Sequence, residues 1–93
     1  MAERLSEQEI EARLAGSKWT REGEEIVREY KLEDFASAIA FVNRVAEVAE
    51  EANHHPDILV HGWNKVRLSL INHSAGGLTE ADFELAGKVD GLT

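Results

Sequence analysis

The stretch EDFASAIAFVNRVAEVAEEANHHP, residues 33–56, decides how the rest of the chain reads. Phe35, Ala38, Ile39, Val42, Val45, Ala46 and Ala49 recur at helical spacing, with Glu47, Glu50 and Glu51 outside the stripe. Apolar positions three and four apart fall on one side of an α-helix, so the segment predicts an amphipathic helix covering a core. The helix must end before Pro56, because a proline pushes the preceding residue, His55, out of the α conformation. Phe41 and Val48 lie off the stripe, seven residues apart. A second apolar face of this kind suits either contact with another subunit or packing under a neighbouring loop.

Past the proline the period changes from helical to alternating. The runs DILVHG and WNKVRLSLIN predict two strands, with Val66, Leu68 and Leu70 alternating with Lys65, Arg67 and Ser69 as on a sheet with one buried face. Gly62 stands between them, where a turn or bulge needs a permissive residue. Upstream, Ser6 with Glu9 has the spacing of a capping box and Leu5 with Ile10 that of a hydrophobic staple. A short helix therefore starts near residue 7 and runs to about Ala15, where Gly16 stops it. KWTREG and EEIVREYKL follow, with Ile26, Arg28, Tyr30 and Leu32 on one strand parity, as a hairpin turning near Gly23. Downstream, the loop HSAGG leads to Thr79, which with Asp82 makes a second capping box, and Leu78 with Phe83 a second staple. A last helix over about 80–90 completes the order α-β-β-α-β-β-α. That order predicts an α+β fold: a four-stranded antiparallel sheet with helices on one face, in a single domain spanning 1–93.

Composition narrows the possible functions. Ten basic against eighteen acidic side chains give a formal net charge of −8, a sign that repels a phosphate backbone and disfavours direct nucleic-acid binding. The chain has no cysteine, hence neither a disulfide framework nor a thiolate metal site. No apolar run reaches membrane-spanning length. The charged N-terminal sequence lacks the apolar segment of a signal peptide, which predicts a cytoplasmic protein without membrane contact.

All four histidines lie in residues 53–73: His54 and His55 directly before Pro56, His61 in the first of the two later strands, and His73 after the second. His54 and His55 border the end of the long helix, and the loop carrying His73 can meet them at one edge of the sheet. Glu50 stands one turn before His54. Imidazole titrates near pH ~6.5, so such a cluster could give and take protons at neutral pH. The same spacing is also compatible with a zinc site, although adjacent histidines seldom bind one ion and no HExxH is present. Ordinary capping is compatible with it too, since the helix dipole alone favours histidine near a C-terminus.

The run Glu50-x3-His54-His55-Pro56, followed by Trp63, then His73, then Asp82, resembles the signature of the pterin-4a-carbinolamine dehydratases. The likeness extends through Trp19, Phe35, Phe41 and AGGLTEADFELA, and so covers most of the chain. Six residues separate Pro56 from Trp63 where the family usually has five, and a bulge beside Gly62 is the expected way to absorb the extra one. The resemblance implies a hydro-lyase that removes water from a 4a-hydroxytetrahydropterin, giving quinonoid dihydropterin without cofactor or metal. It implies that His54, His55 and His73 are the catalytic set, with Pro56, Asn72 and Ser74 joining them in binding the pterin. Glu50, Trp19 and Trp63 are candidates for supporting that pocket. Asp82 is expected to act as a helix cap, and His61 to face solvent. The resemblance further implies a homodimer or homotetramer. Its alternative implication is a scaffold role, because animal relatives also serve as dimerisation cofactors of a transcription factor.

Overall fold

The computed structural model describes residues 3–92; residues 1, 2 and 93, which the single-domain expectation includes, lie outside the described residues. Seven elements follow in the expected order: α1 (Glu7–Leu14), β1 (Thr20–Glu22), β2 (Glu25–Lys31), α2 (Phe35–Ala52), β3 (Asp57–His61), β4 (Lys65–Leu70) and α3 (Glu80–Asp90). The strands form one antiparallel sheet in the order β1-β2-β4-β3. Helix α1 opens with the Ser6–Glu9 capping box, and the β1–β2 hairpin turns at Gly23 with φ 63°.

The register explains which side of the sheet meets the helices. Ile26 pairs with Leu70, Arg28 with Leu68 and Tyr30 with Val66. Directly opposed residues project to the same side of the sheet. Ile26, Tyr30, Val66, Leu68 and Leu70 accordingly share one core with Ile10 of α1, Ala38, Phe41 and Val45 of α2, and Leu85, Ala86 and Val89 of α3. The opposite side is laced by ion pairs. Arg67 reaches Glu22 at 2.8 Å across β2, passing the Val27 row, and His61 pairs with Glu29. Val27 is nonetheless buried, although the expected alternation placed only Ile26, Arg28, Tyr30 and Leu32 on the inner side.

Helix α2 forms as expected but is rotated about its axis. Ala38, Phe41, Val45 and Ala49 are its buried residues, whereas Phe35 is 55% and Ile39 37% exposed. Phe41 is therefore a core residue, 4.7 Å centroid to centroid from the Tyr30 ring, and Val48 packs against the same core. The subunit-contact reading of Phe41 is overturned, since none of its surface is left for a partner, whereas Val48 is partly buried. The helix is apolar over more than one stripe, so period alone leaves its rotation open; the large Phe41 ring filling the space beside Tyr30 fixes it.

A second correction concerns the hairpin between β3 and β4. His61 pairs with Lys65, so residues 62–64 form a three-residue turn, with Gly62 at φ 55° and Trp63 at φ 60°. The extra residue before Trp63 sits in this turn and not in a bulge within the strand. Asn64 anchors the turn, its side chain donating to the Leu32 carbonyl at 3.0 Å.

Candidate functional site at the end of helix α2

Helix α2 does not simply run out at the proline. Asn53 takes the left-handed conformation (φ 51°, ψ 42°), its N–H bonds back to Ala49 and Glu50, and the His54 N–H donates to the Ala49 carbonyl at 3.1 Å. Asparagine is among the few residues that enter this conformation readily, and the motif satisfies carbonyls the helix end would otherwise leave open. Asn53 thus sets the angle at which His54 and His55 leave the helix, a role the sequence signal of Pro56 obscures.

The sheet then brings the second part of the site alongside. β3 pairs with β4 from Asp57 opposite Ser69. Counting on in the same antiparallel register, Pro56 falls beside Leu70 and His55 beside Ile71. The loop 72–77, which carries His73, begins at that same end of the sheet. Asn72 organises this loop. Its carbonyl accepts the N–H groups of Ala75, Gly76 and Gly77 at 3.0–3.3 Å, and its side-chain oxygen accepts from Ala75 at 3.2 Å. Gly76, at φ 75°, makes the reversal possible. His73 and Ser74 are exposed on the loop.

His54 is held most firmly. Its Nε2 lies 2.5 Å from Oδ1 of Asp82, and the Asp82 side chain is fully buried. The other carboxylate oxygen of Asp82 accepts from the Thr79 N–H at 2.8 Å and the Thr79 hydroxyl at 3.2 Å. The expected cap of α3 is present, and the same carboxylate also engages the site. Sequence reasoning recognises only the first of these roles. The available signal is an acidic residue in the first turn of a helix whose start abuts the histidine loop.

His55 is exposed, and Glu50 Oε1 stands 3.4 Å from its Nε2 with both side chains largely in solvent. Glu50 thus partners His55 and not His54, across a distance and exposure at which such a pair contributes little. The two tryptophans lie elsewhere. Trp19 is buried and donates Nε1–H to the Asp90 carboxylate at 3.0 Å and 3.1 Å. Asp90 is eight residues along α3 from Asp82, about 12 Å at helical rise. Asp90 also accepts from the Tyr30 hydroxyl at 2.7 Å and pairs with Arg28 at 2.5 Å. Burial, reinforced by that carboxylate, pushes the Tyr30 hydroxyl well above its ordinary pKa. This cluster fastens the C-terminal end of α3 to β2. Trp63, 62% exposed, occupies the far tip of the β3–β4 hairpin, roughly 20 Å along the strand from Pro56. The fold therefore brings His54, His55, Pro56, Asn72, His73 and Ser74 to one sheet end, adds Asp82, and leaves Trp19 and Trp63 away from it.

Comparison with known proteins places this geometry in context. A family model described as pterin 4 alpha carbinolamine dehydratase matches residues 3–92. A protein of Roseiflexus sp. (strain RS-1), provisionally named a pterin-4-alpha-carbinolamine dehydratase, is 56% identical over 91 residues, 97% of each chain. Among solved structures, a transcriptional coactivator/pterin dehydratase from Brucella melitensis superposes with a TM-score of 0.89 at 34% identity, covering 96% of this chain and 97% of that one. A pterin dehydratase-like protein described as a RuBisCO assembly factor in the alpha-carboxysome superposes with a TM-score of 0.68 at 27% identity, covering 81% and 88%.

Proposed function

The chain belongs to the pterin 4 alpha carbinolamine dehydratase family, and on that premise we propose that it dehydrates a 4a-hydroxytetrahydropterin at the sheet end that gathers His54, His55 and His73. The reaction breaks the C4a–O bond and removes the N5 proton, giving quinonoid dihydropterin and one water. The departing hydroxyl needs a proton donor and N5–H an acceptor, and neither transfer changes the oxidation state. His55 and His73, both exposed, are assigned the two proton transfers. His54, tethered to Asp82, is assigned substrate binding and orientation. Pro56, Asn72 and Ser74 form the surrounding binding surface, and Glu50 supports His55. The mechanism uses no metal or organic cofactor.

Support comes above all from the register that sets the His55 strand start against the loop of His73. The test is turnover of chemically prepared carbinolamine by the purified protein, with and without chelator. Turnover that chelator leaves unchanged is the expected result. No turnover above the spontaneous rate, or turnover abolished by chelator, would refute it.

A second proposed role follows from the solved relatives, one described as a coactivator and one as an assembly factor: the fold serves as a scaffold and the pocket is idle. The same assay separates the two, since a scaffold with an idle pocket gives no turnover. The chain is also proposed to act as a homodimer or homotetramer. Exposed Phe35 and Ile39 on α2 and Leu59 on β3 supply apolar surface for that assembly. Light scattering at micromolar concentration should return a multiple of the 10.3 kDa chain mass; a stable monomer would exclude it. Among the described residues, no helix is long and apolar enough to cross a membrane. A cytoplasmic location remains part of the proposal.

A further inference from the structure

Asp82 caps the last helix, yet its surroundings exceed what a cap requires. One carboxylate oxygen takes two hydrogens from Thr79, through the backbone N–H at 2.8 Å and the hydroxyl at 3.2 Å. The other lies 2.5 Å from Nε2 of His54, 28 positions away in sequence. The Asp82 side chain is fully buried, while that of His54 keeps 15% of its surface exposed. An ionised carboxylate only accepts hydrogen bonds, so the hydrogen between the two groups belongs to the histidine. A neutral imidazole has a single N–H. With that hydrogen committed to Asp82 through Nε2, the other ring nitrogen, Nδ1, carries a lone pair.

We propose that Asp82 is a positioning residue that fixes His54 in the Nε2–H tautomer, so that neutral His54 meets its ligand as a hydrogen-bond acceptor through Nδ1. The role of this contact in catalysis rests on the dehydratase function proposed above; the tautomer does not. The helix start makes Asp82 effective in this role. Thr79 and Asp82 belong to one capping turn, so the carboxylate cannot swing away from His54 without giving up its bonds to the Thr79 N–H and hydroxyl. The ligand group facing His54 should accordingly be an N–H or O–H donor. A ligand group that can only accept would find no hydrogen there while the ring is neutral.

Ring-nitrogen NMR of the intact protein without ligand provides the test, at a pH where His54 is neutral, with its signals assigned by their loss in His54→Gln. The wild type should show Nε2 protonated and Nδ1 bare. In Asp82→Asn, the amide oxygen can keep the Thr79 bonds and turn the NH2 group toward His54, which should shift the ring to the Nδ1–H tautomer. The same variant should lower kcat/KM for the carbinolamine by about 10-fold or more, and adding His54→Gln should cost little beyond that, because the two residues act as a unit. A residue needed only for folding would lower stability and leave the tautomer as it was. A wild-type His54 protonated at Nδ1 overturns the proposal outright, and that measurement stands even if Asp82→Asn does not fold. An unchanged tautomer in a folded Asp82→Asn also overturns it. The expected tautomers in a protein that turns over no carbinolamine support the positioning role and remove the dehydratase function alone.

Discussion

The two ends of the β3–β4 hairpin each carry a histidine facing a carboxylate, and they differ in what holds the acid. At one end His54 meets Asp82, whose side chain is fully buried and bonded to Thr79. At the other, His61 pairs with Glu29 on the open side of the sheet, with 38% and 48% of the side chains exposed. Water screens and competes with the second pair, which leaves it with little energy or directionality. In the first pair the carboxylate oxygens lie in a protein interior where an unmet hydrogen bond is costly, and so the geometry is specified. A histidine facing an acid thus provides a positioned group at one end and a solvated surface pair at the other.

The most severe test of this contrast is to weaken the core both ends share. Phe41→Ala should destabilise the fold by about 3–5 kcal/mol, the usual range for truncating a buried phenylalanine. Denaturant titration measures it, and a cost below about 1 kcal/mol would return Phe41 to the surface of α2. Next come the site histidines. His55→Ala and His73→Ala should each lower turnover by about 10²-fold or more, the scale expected for a positioned acid or base. His54→Ala should act more on KM, because its contact is made before as well as during the reaction. Equal losses across all three would contradict this division of roles.

A smaller effect is expected at the support of the buried pair. Thr79→Ala removes the hydroxyl bonded to Asp82 and should cost on the order of 1 kcal/mol, against much less for Ser37→Ala. If the two changes cost the same in denaturant titration, the Thr79 hydroxyl contributes nothing to the start of α3. Smallest of all is His61→Ala, which should change stability by less than about 0.5 kcal/mol and leave turnover unaltered. A loss of activity there comparable with that of His55→Ala would erase the distinction between the hairpin ends.

Much of this organisation is legible in the chain alone. Ser6 with Glu9 and Thr79 with Asp82 announce two helix starts, since a capping turn is a local arrangement that four residues can specify. Alternation in Val66, Leu68 and Leu70 announces a strand with one buried side, and Pro56 marks where α2 has to give way. The histidine set is legible through its resemblance to a known signature, whereas spacing alone suits an acid–base cluster, a zinc site and simple capping alike. The features that escape the sequence depend on neighbours distant in the chain or on a stronger signal beside them. Asn53 is hidden behind the adjacent proline, and the extra residue before Trp63 fits a turn or a bulge equally well until the His61–Lys65 pair is known.

The sequence by itself determined the element order, the helix starts, the inner side of β4 and the clustering of His54 and His55 at a helix end. All of these follow from interactions within a few residues or from a simple period. Only the tertiary structure decided which side of α2 is buried, because an apolar surplus permits more than one rotation and the choice falls to the shape of the space beside Tyr30. Only the tertiary structure, likewise, joined His54 to Asp82. A hydrogen bond between residues 28 positions apart leaves no trace in local spacing; it exists because β3, the loop of His73 and the first turn of α3 converge at one end of a sheet.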